Sequence, residues 1–118
     1  AWTMAKLERT VDHWQMDCLM QQLEEKILSN SLSANLEAGS DFEDGDARCS
    51  VRVFERYSMM GGNRLSLTVT MFQQGDSPIR LSMITAGGSQ AVFFKVNTFG
   101  EEAFLTDVTN LLNGILGE

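Results

Sequence analysis

One histidine, two cysteines, one proline and one tyrosine in 118 residues leave little from which to assemble a reactive site. His13 with two scattered thiols cannot build a metal cluster at usual ligand spacings. If His13 and Cys18 share one helix, five positions turn them about 140° apart, so they form no thiolate–imidazole pair. Cys18 and Cys49 lie 31 positions apart with no charged-then-apolar leader before them, a pattern that suggests packed, reduced thiols in the cytoplasm. No apolar run approaches the roughly 18 residues of a membrane span. No Gly-x-Ser-x-Gly elbow, phosphate-binding loop or dinucleotide fingerprint is present. Neither repeat, linker nor low-complexity stretch divides the chain. Catalytic residues, cofactors and metal ligands are therefore not assigned.

What is present is an ordinary globular composition, 43% hydrophobic and 21% charged, at the size of one domain. Ala1, Trp2 and Thr3 are set aside as an added or frayed terminus before Met4, which makes residues 4–118 the expected domain. From Thr10 to Ser29 the spacing predicts a helix. Met16, Leu19, Met20, Leu23 and Ile27 form one apolar stripe, and Val11, Trp14 and Cys18 an adjoining one. Ser31 to Glu37 alternates as a short strand. Gly39 to Asp46 reads as a solvated acidic loop; counting from Asp41, an EF-hand would need a carboxylate where Arg52 stands.

Four further strands follow: Cys49–Tyr57, Arg64–Phe72, Ile79–Thr85 and Gln90–Val96, separated by glycine- or proline-marked turns. Links this short permit only antiparallel neighbours. Thr98 and Glu101 match a capping box, and Phe104, Leu105, Val108, Leu111, Leu112 and Ile115 give the last helix an apolar face. The expected fold class is α+β: a two-layer domain, a five-stranded antiparallel meander sheet with an N-terminal and a C-terminal helix packed on one face.

Charge is unevenly spread. The net charge is −7, yet residues 48–95 hold six of nine basic groups and only two acids, so that segment is +4 against −11 elsewhere. Taking alternate residues along each strand, one set is nearly pure hydrocarbon. The other holds Arg52, Phe54, Arg56, Arg64, Thr68, Thr70, Phe72, Arg80, Ser82, Phe93 and Lys95. An open antiparallel sheet has a wet side on which such residues are ordinary. The same set also suits a binding face: Arg52, Arg56, Arg64, Arg80, Ser82 and Lys95, with Gly87, Gly88 and Ser89 offering backbone N–H groups, for an anionic small molecule or a second subunit. Between two strands the glycine pair is more often a hairpin turn. RNA stacking on Phe54, Phe72 and Phe93 is disfavoured by the acidic remainder, so nucleic acid and membrane are not expected partners and a homodimer is. The alternative is a small enzyme with a site at a subunit interface near Glu55, Arg56, Tyr57 and the Gly87-Gly88 turn.

The runs Phe54-Glu55-Arg56-Tyr57-Ser58, Ile84 to Gln90, and Phe93-Phe94-Lys95 with Asn97 to Leu105 resemble a family of short uncharacterised bacterial proteins, a domain of unknown function. Gly39 to Phe42 and Gly45 to Cys49 fit the same pattern. The resemblance implies a small cytosolic bacterial protein and carries over no catalytic or binding residue.

Overall fold

The computed structural model describes residues 2–30, 33–58, 63–88 and 99–118. Their order is β1 (Trp2–Val11), α1 (Met16–Ser29), β2 (Asn35–Asp44), β3 (Ala47–Ser58), β4 (Asn63–Gln74), β5 (Ile79–Gly88) and α2 (Phe99–Leu116). The strands form one antiparallel sheet in the order β1-β5-β4-β3-β2. An α+β sheet of five antiparallel strands with an N-terminal and a C-terminal helix is thus the architecture.

The elements differ from the sequence reading in three places. First, the chain opens with a strand: Trp2 pairs with Gly88 and Val11 with Ile79, so residues 2 and 3 belong to the sheet. The alternation Ala5, Leu7, Arg9, Val11 is interrupted by a half-buried arginine, and the apolar residues that follow drew the helix too far forward. Helix α1 starts only at Met16. His13 therefore lies outside it, in the left-handed region at φ 65°, and Val11 is buried in β1 while Cys18 is exposed. The stripe Met16, Leu19, Met20, Leu23 and Ile27 is buried as its spacing requires.

Second, the acidic stretch after Gly39 is strand, not loop. Strand β2 runs to Asp44, bulges between Leu36 and Ala38, and turns tightly at Gly45-Asp46. Gly45 takes φ 60° at the first corner of this two-residue hairpin, a conformation that suits glycine. Acidic side chains are tolerated because all ten β2 residues are exposed: this outer strand extends beyond the helices. Third, Gln90–Val96 lies outside the described residues; the fifth strand of the sheet is β1.

Both helices pack on one side. Phe104, Val108 and Leu112 of α2 meet α1's stripe and the inward residues Leu65, Leu67, Val69, Met71, Ile79, Leu81 and Met83 in one core. Strand β4 sets the faces: from Arg64 to Gln74 its odd residues are buried and its even ones are not.

Candidate functional site

The register of β3 on β4 decides which side chains share a face. Phe54 lies opposite Leu67, Arg52 opposite Val69, and Arg56 opposite Leu65. Even residues of β3 therefore stand with odd residues of β4, on the helix side. This reverses the face expected for β3. Phe54 is fully buried, and Arg52 and Arg56 are on the covered side. The strand carries apolar residues on both faces (Val51 and Val53 outward, Phe54 inward), so alternation alone could not orient it.

The arginines on that side are engaged by the acidic helices. Arg48 reaches Asp17 of α1 at 3.2 Å, and its other nitrogen donates to Gln73. Arg52 meets Glu24 of α1 at 3.4 Å and Asp41 of β2 at 3.1 Å. Arg56 meets Asp107 of α2 at 3.3 Å and lies 4.3 Å over the Phe104 ring. Arg9 donates to Asn113. Much of the basic middle of the sequence is thus paired within the fold, where the pairs with Asp17, Glu24 and Asp107 fasten the helices to the sheet. The Asp41 carboxyl is held below its ordinary range by a hydrogen bond from Ser50 and another from Arg52. Buried Gln73, which the sequence did not single out, also donates to the carbonyls of Trp14 and Ser77 and leaves no polar atom unmatched.

Gly87 is neither a turn nor an exposed cradle. It lies within β5, buried, between Thr3 and Leu65. A Cβ there would stand 2.7 Å from a Leu65 methyl and 3.2 Å from the Glu101 carboxyl carbon. The glycine makes room for the start of α2, where Glu101 is buried and Thr85 Oγ1 donates to its carbonyl at 2.9 Å. Burial raises the Glu101 carboxyl pKa, its own backbone N–H opposes the shift, and Glu102 adds to it. Gly88 ends β5; Ser89, Lys95 and the Thr98 half of the capping box lie outside the described residues.

Among the described residues no helix lies over the opposite face. Its cross-strand rows can be read directly from the registers. One is Phe42–Cys49–Phe72–Arg80–Thr10, the next Ser40–Val51–Thr70–Ser82–Glu8, the next Ala38–Val53–Thr68–Ile84–Lys6. Phe42 is 62% exposed and Phe72 38%, which is unusual for phenylalanine. Between Glu8, Thr10, Thr70, Phe72, Arg80 and Ser82 lies a groove of about 420 Å³, within the size range of small-molecule sites. Arg80 is exposed and makes no ion pair among the described residues.

The Glu55, Arg56, Tyr57 and Gly87 group does not converge. Glu55 and Tyr57 point to the uncovered face, whereas Arg56 and Gly87 belong to the helix side. Glu55 pairs with Arg64 at 3.4 Å, and Arg64 lies 5.5 Å from the Tyr57 ring centre. The hollow beside them, about 70 Å³, is too small for a substrate. Among the described residues no group of three His, Cys, Asp or Glu side chains is placed to hold a metal ion, and no helix is long and apolar enough to cross a membrane.

Comparison with known proteins adds a family. The chain matches 90% of its length to 85% of hypothetical protein jhp0584 from Helicobacter pylori, at 10% identity and a TM-score of 0.47. It matches 97% of its length to 96% of the Mll3558 protein from Rhizobium loti, at 11% identity and a TM-score of 0.41. Among curated proteins none matches. Residues 4–116 match the model of a family of unknown function, DUF6054.

Proposed function

Because the chain belongs to that family of unknown function, its role is to be read from its own surfaces, and we propose that it is a non-enzymatic binding module whose working surface is the uncovered face of the sheet. The observation that carries this reading is the one-sided packing. Both helices cover the same side, so Phe42, Val51, Val53, Thr70, Phe72 and Ile84 are left on the other with nothing from the described chain above them. Exposed aromatics and β-branched residues on a contiguous face mark an interaction surface. The unbridged thiols Cys18 and Cys49 support a reducing compartment such as the cytosol.

A small anionic molecule is one occupant with its own support. The groove offers the Arg80 fork, the hydroxyls of Thr10, Thr70 and Ser82, and the Phe72 ring. That is the donor set for a carboxylate or phosphate carried on a flat group. Arg52 and Arg56, held by Glu24, Asp41 and Asp107, drop out of this role. Native mass spectrometry of gently purified protein tests the reading. A bound mass or an assembly that disappears in Arg80→Glu or Thr70→Arg, with the circular dichroism unchanged, supports it. A bare monomer in wild type and variants alike overturns it.

A further inference from the structure

We propose that the occupant of the uncovered face is a second copy of this chain, docked sheet against sheet; the inference rests on the reading of that face as the working surface. Charge is the first argument. Among the described side chains the face carries Lys6, Arg64 and Arg80 against Glu8, Glu37, Asp44 and Glu55, a net of −1. The chain as a whole is −7, so nearly all of the excess lies elsewhere. Two identical acidic bodies repel through most of their surfaces and meet with little net repulsion through this one. A patch that mixes both signs also suits an isologous contact, in which each residue type must face the same set on the partner.

Size and relief are the second argument. Five strands about 4.8 Å apart and ten residues of about 3.3 Å rise make a platform on the order of 600 Å², before the side chains roughen it. A stable pair buries about 800 Å² per partner. The two central rows carry Ser40, Val51, Thr70, Ser82 and Ala38, Val53, Thr68, Ile84, short side chains that allow sheets to stack at about 10 Å. Phe42 and Phe72 stand at one end as anchors of the kind that dominate interfaces. The edge of β2 is a poorer candidate, because Glu37, Asp41, Glu43 and Asp44 make it the most acidic strand.

The native thiols report on this contact. Cys49 lies between Phe42 and Phe72 on the proposed interface, whereas Cys18 is exposed on α1. Light scattering over a concentration series, with maleimide labelling of both thiols, is run on wild type and Thr70→Arg. The expected result is a dimer in wild type and a folded monomer in the variant. Cys49 labels about tenfold faster in the variant at unchanged Cys18 rate, since access sets thiol reactivity. If Thr70→Arg fails to fold, wild-type labelling still decides: on dilution to monomer, Cys49 speeds up and Cys18 does not. A dimer whose Cys49 stays freely reactive overturns the inference, as that pair uses another surface. A monomer carrying a small anionic mass that Arg80→Glu releases overturns it while leaving the binding reading in place. A bare monomer with open Cys49 overturns both.

Discussion

Arg52 lies directly opposite Gly39, and the missing Cβ is what lets its side chain cross the outer strand. A Cβ on Gly39 would stand 2.9 Å from Arg52 Cδ. Through that gap the guanidinium reaches Asp41 and the Ser40 carbonyl on β2, and its Nε points to Glu24 on α1. One side chain thus joins a helix to a strand that the helices do not cover.

Removing it should cost more than an exposed ion pair. The Arg52 and Glu24 side chains are only 18% and 25% exposed, so Arg52→Ala leaves a half-buried carboxylate without its partner. The expected loss is about 1–2 kcal/mol, between surface and buried pairs. In Tm that is roughly 4–8 °C for a chain of this size. Arg52→Lys should recover little, because a single ammonium cannot serve Glu24 and Asp41 as a fork does. Thermal unfolding of Arg52→Ala, Glu24→Gln and the double variant checks it: strictly additive effects would show that the two groups are not coupled.

The orientation of β3 can be tested with two neighbouring truncations. Phe54 is fully enclosed by the core, and Val53 is on the uncovered face opposite Thr68. Phe54→Ala should cost about 3–5 kcal/mol. Val53→Ala, measured on monomer, should stay below about 1 kcal/mol. Urea unfolding of both proteins separates them, and a larger loss at Val53 would mean that the register is one residue out.

These two positions also show where the sequence was readable. The helix stripe from Met16 to Ile27, strand β4 and the apolar face of α2 repeat with a single period, and in each the buried set is the one the period names. Strand β3 has no single period, because its inward positions alternate arginine with serine and phenylalanine. Arginine on the core side is compatible with burial only when acids on other elements meet it, as Asp17, Glu24 and Asp107 do at 28 to 51 residues' separation. No local pattern announces such partners. The excess of basic residues between 48 and 95 was a true signal of arginine function, but much of that function is holding acidic helices to the sheet. Strand β1 was hidden for a related reason: Arg9 stands on its inward side and is satisfied by Asn113 of α2, at the other end of the chain.

Gly87 should tolerate no side chain. Its backbone has ordinary strand geometry, so the objection is space: Leu65 at 2.7 Å and the Glu101 carboxyl at 3.2 Å occupy the place of a methyl. Gly87→Ala should destabilise by about 1–3 kcal/mol, the usual cost of overpacking. Leu65→Val in the same chain should return part of that loss, since it withdraws the methyl in the way. Denaturant midpoints of the two single variants and the double test this; a double variant as unstable as the sum would place the strain elsewhere.

Glu101 should make the fold less stable as pH rises, opposite to the usual acid. Burial raises its folded pKa above the unfolded value, and Glu102 adds to the shift. The native state therefore holds this proton more tightly than the unfolded chain does. Its contribution is fully present below the unfolded carboxylate value and is lost as pH climbs through the raised folded one. Asp41 runs the other way: its folded pKa is lowered, so its contribution is present above the unfolded value and lost as pH falls through the folded one. Comparing wild type with Glu101→Gln at each pH isolates the first effect, because Asp41 is common to both. Glutamine keeps the size of the side chain and the neutral form that burial favours, and it can still accept from the helix's first N–H groups. The two proteins should have matching urea midpoints at about pH 4, and the variant should be more stable by up to about 1 kcal/mol at about pH 7. A variant that is less stable at neutral pH and unchanged in acid would show instead that the ionised carboxylate is the form the α2 terminus requires.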